Sequence, residues 1–239
     1  MGLGLLGRGL GDAIFLAEQG AELIVTDLRD EKMLAPSLKK LRKYKNIKYV
    51  LGKHRYEDFR KRDFILKAAG VPLDSPYITE AQKQRIPIEM DASLFAKLVP
   101  KGVILVGVTG TRGKSTTTAL IYEILHRGLT SIGKEVEPRY PQVFKGGNLV
   151  PEATLQLLKK VRAGDIVVLE LDSWQLQGFH NAKISPQIAV FTTFLDDHLS
   201  YYKNNRGAYL SDKTAIFKYQ KEEDVLVVGE QVASEIRSD

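Results

Sequence analysis

Apolar residues along this chain fall into short β-branched runs, separated by stretches in which they return every three or four positions. Glu22–Asp27, Ile47–Leu51, Asp63–Lys67 and Ile86–Glu89 read as strands, while Asp12–Gln19 and the Lys-rich Pro36–Tyr44 read as helices. This rhythm predicts a mostly parallel sheet, because a strand joined to the next through a helix returns in the same direction. Pro100-Lys101-Gly102 breaks the pattern, and Val103–Val108 opens a second unit of the same kind. It continues with a helix over Lys114–His126, a Gly/Pro-containing loop through Asn148 and a helix over Glu152–Arg162. Strands Asp165–Leu171 and Gln187–Thr193, a helix over Gly207–Tyr219 and a strand over Asp224–Gly229 complete it. The expectation is an α/β chain of two domains, residues 1–99 and 100–239, without internal repeats.

Composition narrows the class. With 44% hydrophobic and 27% charged residues, the 239-residue chain has enough apolar side chains for two modest cores. No apolar run approaches the ~20 residues needed to span a bilayer. The lack of cysteine excludes a disulfide framework and a thiolate metal site, and a cytoplasmic location is the expectation. Much of the net charge of +6 comes from Lys39–Lys67, with twelve Lys or Arg against three acids. Its aromatics (Tyr44, Tyr49, Tyr56, Phe59) follow no RNA-binding pattern, so the run reads as a solvated face. Neither nucleic acid nor a membrane is expected as a partner, whereas a mildly basic surface suits an anionic nucleotide.

The chemistry concentrates in Gly107-Val108-Thr109-Gly110-Thr111-Arg112-Gly113-Lys114-Ser115-Thr116, between an apolar strand and a helix. Glycines let such a loop fold tightly, so that its N–H groups converge on phosphate oxygens while the helix N-terminus adds positive charge. Lys114 would reach the terminal phosphates and Ser115 would coordinate Mg²⁺. The strict phosphate-loop pattern is not met, since Val108 holds the place of its first glycine. Glu170 ends the strand Asp165–Leu171, and His198 follows the strand Gln187–Thr193, so both should emerge at the sheet edge where open α/β sheets place ligands.

The form G-x-T-G-[TS]-x-G-K-[ST]-[ST] resembles the loop of the Mur ligase family and the related folylpolyglutamate synthetases. Gly146-Gly147-Asn148 resembles that family's Gly-Gly-Asn segment, and Leu169–Leu176 resembles the E-L-S-S-F-Q-L stretch of its D-glutamate-adding branch. Asp197-His198-Leu199 is similar to its D-H-[LM] element, and Lys213 sits where the family has a helix lysine that becomes carbamylated. The departures are Thr193 for Asn, Ser200 for Asp and Asp172 for Ser. The resemblance implies a Rossmann-like N-terminal domain followed by a P-loop NTPase-like central domain. It implies ATP held by Gly110, Thr111, Arg112, Gly113, Lys114, Ser115 and Thr116. It further implies two Mg²⁺ ions on Ser115, Glu170, His198 and a carbamylated Lys213, and a catalytic set of Lys114, Glu170, His198 and Lys213.

Gly2, Gly4 and Gly7, with Asp27 ending the next strand, spell a weak dinucleotide-binding fingerprint. The resemblance instead implies UDP-N-acetylmuramoyl-L-alanine there, with Leu5 and Leu6 of the glycine turn facing the diphosphate and Asp27, Leu28 and Arg29 at the uracil. Gly70 resembles the family's S-P-G turn without its Ser and Pro, and Asn148 and His198 would orient the substrate. The implied reaction joins D-glutamate to that substrate at the expense of ATP, in an enzyme expected to be monomeric. Another ligase of the superfamily, a nucleotide-binding module without ligase activity, and an NAD-binding oxidoreductase are the alternatives. Only Met1 precedes the glycine turn, and the chain stops ten residues after Gly229. The expectation is therefore a piece lacking a first strand, the end of the central domain and a C-terminal domain, and inactive by itself.

Overall fold

The computed structural model describes residues 1–5, 7–132 and 141–236. It divides into two compact units, Met1–Phe95 with Pro151–Gln156, and Ala96–Val150 with Leu157–Asp239. Both are α/β with parallel strands.

The first unit opens with helix α1 (Arg8–Glu18), strand β1 (Leu23–Asp27), helix α2 (Glu31–Leu41) and strand β2 (Ile47–Leu51), which pairs parallel to β1. Strand β3 (Ile65–Leu66), helix α3 (Pro76–Lys83), strand β4 (Ile88–Glu89) and helix α4 (Asp91–Leu98) follow, with β3 parallel to β4. Gly2 N–H donates to Thr26 O, while Met1 O accepts from Ala68 N–H, so the chain start lies between the two ribbons. Leu3, Leu10, Ala13, Leu34, Leu41 and Ile47 form one core, and Phe59, Ile65, Ile78, Ala81 and Ile86 another.

Helix α2 begins five residues before the expected Pro36. Asp30 caps it by accepting Met33 N–H, and Pro36 lies inside the helix. The carbonyl the proline leaves unpaired belongs to Lys32, which is exposed and open to water. Helices α3 and α4, unassigned from the sequence, complete the unit. The segment read as a helix over Glu152–Arg162 is instead a 3₁₀ turn, Thr154–Lys159, its start pinned by Asp91, whose carboxylate accepts Thr154 and Leu155 N–H.

The second unit holds a five-stranded parallel sheet in the order β6-β7-β5-β8-β9, from β5 (Ile104–Thr109), β6 (Val143–Gly147), β7 (Ile166–Glu170), β8 (Ile188–Phe191) and β9 (Val225–Val228). Helices α5 (Lys114–Ile132), α6 (Ser173–Ala182), α7 (Arg206–Thr214) and α8 (Glu230–Ile236) connect or follow them. Strand β6 falls within the stretch expected to be a loop: it is short and ends on two glycines, so its pairing with β7 decides its state. Val106, Val108, Val143 and Val168 form a core under Ile121, Tyr122 and Leu125 of α5. Because all strands run one way and β7 and β8 flank β5, the loops after these three strands share one edge.

Candidate functional site

In the second unit, β5 leads into a turn that only glycine can make. Gly110 has φ 149°, and a β-carbon there would collide with Thr192 Oγ1. The hydroxyl of Thr192 donates to Arg112 O at 2.6 Å, and that of Thr193 accepts Arg112 N–H at 2.9 Å. Thr111 N–H donates to Thr193 O at 2.7 Å, while its hydroxyl donates to Leu195 O at 3.1 Å and accepts Leu195 N–H at 2.9 Å. The loop is thus sewn onto the connection after β8. Thr193, a departure from the family pattern, is one of the stitches.

Two lysines converge on one carbonyl. Lys114 Nζ donates to Gly110 O at 3.0 Å and Thr111 O at 3.2 Å, and Lys213 Nζ donates to Gly110 O at 2.8 Å. Lys213 is buried, at 1% exposure, with its ammonium 4.9 Å over the Tyr209 ring. Burial first, and the Lys114 charge second, push its pKa down to about 7, against the pull of Asp172, Asp197 and Asp212. Ser115 and Thr116 lie exposed in the first turn of α5.

Glu170 ends β7 beside Gly147, whose φ of 72° and lack of a β-carbon allow its strand to close on the Glu170 carbonyl. Asn148 N–H donates to Glu170 O at 2.7 Å, and its side-chain amide donates to Glu170 Oε1 at 3.3 Å. Glu170 is 3% exposed, and its other oxygen, Oε2, is buried without a hydrogen-bond partner among the described residues. A buried carboxylate oxygen held ready in this way fits a cation. Asp172, just beyond, caps α6 in a reciprocal box with Gln175, a task that Ser performs equally well.

His198 follows β8 in the left-handed region, φ 53°, with its N–H on Asp197 Oδ1 at 2.9 Å. Its ring lies against Trp174 and Tyr209. Among the described residues no three His, Asp or Glu side chains gather around one point. Mg²⁺, which usually keeps several waters, takes few protein ligands, so Glu170, His198 and Ser115 remain suitable donors. Thr192 and Tyr209 escaped the sequence reading, and Thr193 and Trp174 entered it only through the family resemblance, because the roles of all four come from contacts between distant segments.

In the first unit, Asp27 is buried at the end of β1. Its Oδ2 accepts Gly4 N–H at 2.9 Å, and its Oδ1 accepts Arg29 N–H at 2.9 Å and the Arg29 guanidinium at 3.3 Å. Burial works to raise its pKa, but the Gly4 and Arg29 hydrogen bonds outweigh it and hold the carboxyl below its ordinary value. Asp27 therefore fixes the glycine turn, and Arg29, with its side chain 44% exposed, presents charge to solvent. Leu5 and Leu28 are exposed; Leu6 lies outside the described residues. Gly70 occupies a turn closed by Lys67, a residue not singled out from the sequence, whose ammonium donates to Ala69 O and Val71 O at 3.2 and 2.8 Å.

A family model described as the Mur ligase middle domain matches residues 108–237, and one for the MurD-like N-terminal domain of Mur ligases matches residues 1–89. The chain is 40% identical over 229 residues to the UDP-N-acetylmuramoylalanine--D-glutamate ligase of Roseiflexus sp. (strain RS-1), covering 96% of this chain and 46% of that protein. It is 36% identical over 228 residues to the enzyme of the same name from Borreliella afzelii (strain PKo), covering 95% and 46%. The chain thus spans about half the length of the curated relatives it matches. The crystal structure of the UDP-N-acetylmuramate:L-alanyl-gamma-D-glutamyl-meso-diaminopimelate ligase from Neisseria meningitides shares the fold, with a TM-score of 0.57 at 18% identity over 100% of this chain and 73% of that one. A glycine loop on which two lysines converge, a buried glutamate wrapped by Gly-Gly-Asn, and a family match running through both features lead to one conclusion: the chain belongs to the Mur ligase family.

Proposed function

We propose that this chain forms the UDP-substrate-binding and ATP-binding parts of a ligase that adds D-glutamate to UDP-N-acetylmuramoyl-L-alanine through an acyl phosphate. The observation that carries the reading is the meeting of Lys114 and Lys213 on the Gly110 carbonyl, at the N-terminus of α5. Lys114 and the N-terminus of α5 put positive charge where a nucleotide's phosphates would sit, while Lys213, its pKa lowered by burial, stands beside them as the group a carbamate would occupy. The names of the relatives supply the substrate and the amino acid.

Ligation of this type brings two anions together, the γ-phosphate and the substrate carboxylate, so charge neutralisation and placement provide most of the catalysis. Lys114 turns from the loop carbonyls to the phosphates. Asn148 and His198 orient the substrate, and Arg29 holds the uracil end, itself fixed by Asp27. Ser115, Glu170, His198 and a carbamylated Lys213 are the residues that would hold Mg²⁺, which supplies further positive charge when bound. A carbamate on Lys213 converts a cation that could not ligate a metal into a carboxylate that can.

Titration calorimetry with Mg²⁺-ADP tests the reading. Wild-type protein should release heat on binding, and Lys114→Ala should bind about 10- to 100-fold more weakly, the equivalent of ~1.5–3 kcal/mol for a hydrogen bond to a charged group. Equal affinity in both proteins would remove the nucleotide site from this loop.

A further inference from the structure

Trp174, the only tryptophan in the chain, is the second residue of α6. Its ring centre stands 5.1 Å from that of His198 at an interplanar angle of 44°, and 5.3 Å from that of Tyr201 at 53°. Tyr209 meets the imidazole edge-on from α7 at 6.4 Å.

The backbone around His198 is fastened by hydrogen bonds. Tyr201 N–H donates to His198 O at 2.9 Å, Tyr201 OH donates to Gln177 Oε1 on α6 at 3.2 Å, and Tyr202 OH donates to Asp212 on α7 at 2.9 Å. Gln177 in turn donates to the same Asp212 oxygen at 2.8 Å, tying α6 to α7. These bonds fix where the loop goes, yet none of them touches the imidazole. Its Nδ1 lies 3.9 Å from Asp197 Oδ1, beyond hydrogen-bond reach, and neither ring nitrogen is hydrogen-bonded among the described residues. What sets the ring's plane is therefore aromatic contact, and Trp174 supplies the nearest such surface.

We propose that Trp174 is a positioning residue, which holds the His198 imidazole in the orientation that meets its ligand. The proposal rests on the reading of His198 as a metal ligand. A ligating histidine usually has its ring fixed by a hydrogen bond from its second nitrogen; here an indole surface takes over that task. A leucine at position 174 would fill much of the space but offer no flat surface, whereas a phenylalanine would keep one.

The test is Mn²⁺ binding, read from the free-ion electron paramagnetic resonance signal, for wild type, Trp174→Leu, Trp174→Phe, His198→Ala and the Trp174→Leu/His198→Ala double variant. Binding of metal-free ADP serves as the control for folding. Trp174→Leu should bind Mn²⁺ about tenfold more weakly or worse, the usual penalty for losing a residue that orients a ligand, and Trp174→Phe should stay within about threefold of wild type. The double variant should bind no more weakly than His198→Ala, because Trp174 acts only through that ring. If the two losses multiply, or if Trp174→Leu matches wild type while His198→Ala does not, the proposal is overturned and the reading of His198 survives. If His198→Ala binds Mn²⁺ as well as wild type, the reading of His198 as a ligand fails, and the proposal with it.

Discussion

Lys213 Nζ on α7 donates to the Gly110 carbonyl oxygen across 2.8 Å, the same oxygen that Lys114 Nζ reaches at 3.0 Å. Two ammonium groups on one acceptor repel each other, and burial already disfavours the charge on Lys213, so its pKa falls to about 7. Near neutral pH a substantial fraction of this lysine is therefore the free amine, the form that carbamylation by CO₂ requires. Protein exposed to ¹³C-bicarbonate should show a carbamate resonance that Lys213→Arg lacks. A wild-type spectrum without that resonance would count against carbamylation.

Gly147→Ala should destabilise the protein by about 2 kcal/mol or more, lowering Tm by about 4 °C or more. The φ of 72° strains any L-residue, and the added carbon would press on the backbone carbonyl of Glu170. Gly164→Ala is the control: its φ is 92°, but no atom comes nearer than 4.0 Å to the new carbon, so it incurs the strain alone. Thermal unfolding by circular dichroism compares the two, and equal shifts would mean that the approach of Gly147 to Glu170 costs nothing.

UMP should bind the first unit, and Arg29→Ala should weaken it about tenfold or more, the cost of a lost hydrogen bond to a charged group. Asp27→Ala should weaken UMP binding as well, but with a difference. It also strips the acceptor from Gly4 and Arg29, so its urea midpoint should fall while that of Arg29→Ala stays near wild type. NAD should not displace UMP; displacement would favour an oxidoreductase-type cofactor site.

Asp12 gives the first unit an unusual pH dependence. Burial, then the neighbouring Asp91 charge, raise its pKa well above the ordinary carboxylate value. The folded protein thus holds a proton that the unfolded chain releases at about pH 4. As pH rises from there towards the raised folded value, the folded state binds more protons than the unfolded one, and stability falls. Asp12→Asn removes this loss. Urea midpoints measured from pH 4 to 8 should show the variant gaining on wild type as pH increases, and a constant difference would refute the account.

The sequence disclosed what short-range chemistry determines. β1 and β5 are apolar β-branched runs, and the spacing of Gly107, Gly110, Gly113 and Lys114 has the form of a phosphate loop before any fold is known. β6 stayed hidden because Val143–Gly147 has weak strand character of its own and depends on β7. Helix α6 was legible in principle through Asp172 and Gln175, which make its capping box, but that stretch was read only as a family signature. Thr192 was not legible at all, and Thr193 and Trp174 were legible only as family positions, since each acts through a partner that only the folded chain brings near.

The stitching of Thr111 to Leu195 joins residues 84 apart in the chain. During synthesis the glycine loop and α5 are made before β8 and the segment after it, so the contacts between them cannot form until that later segment has been made. A nascent chain that ends soon after α5 carries the phosphate-loop sequence without the threonines and carbonyls that shape it. The nucleotide affinity proposed for this loop would therefore arise only after β8 has joined the sheet, so that a nucleotide could not act as an early template for folding and would instead reward a chain that has already closed.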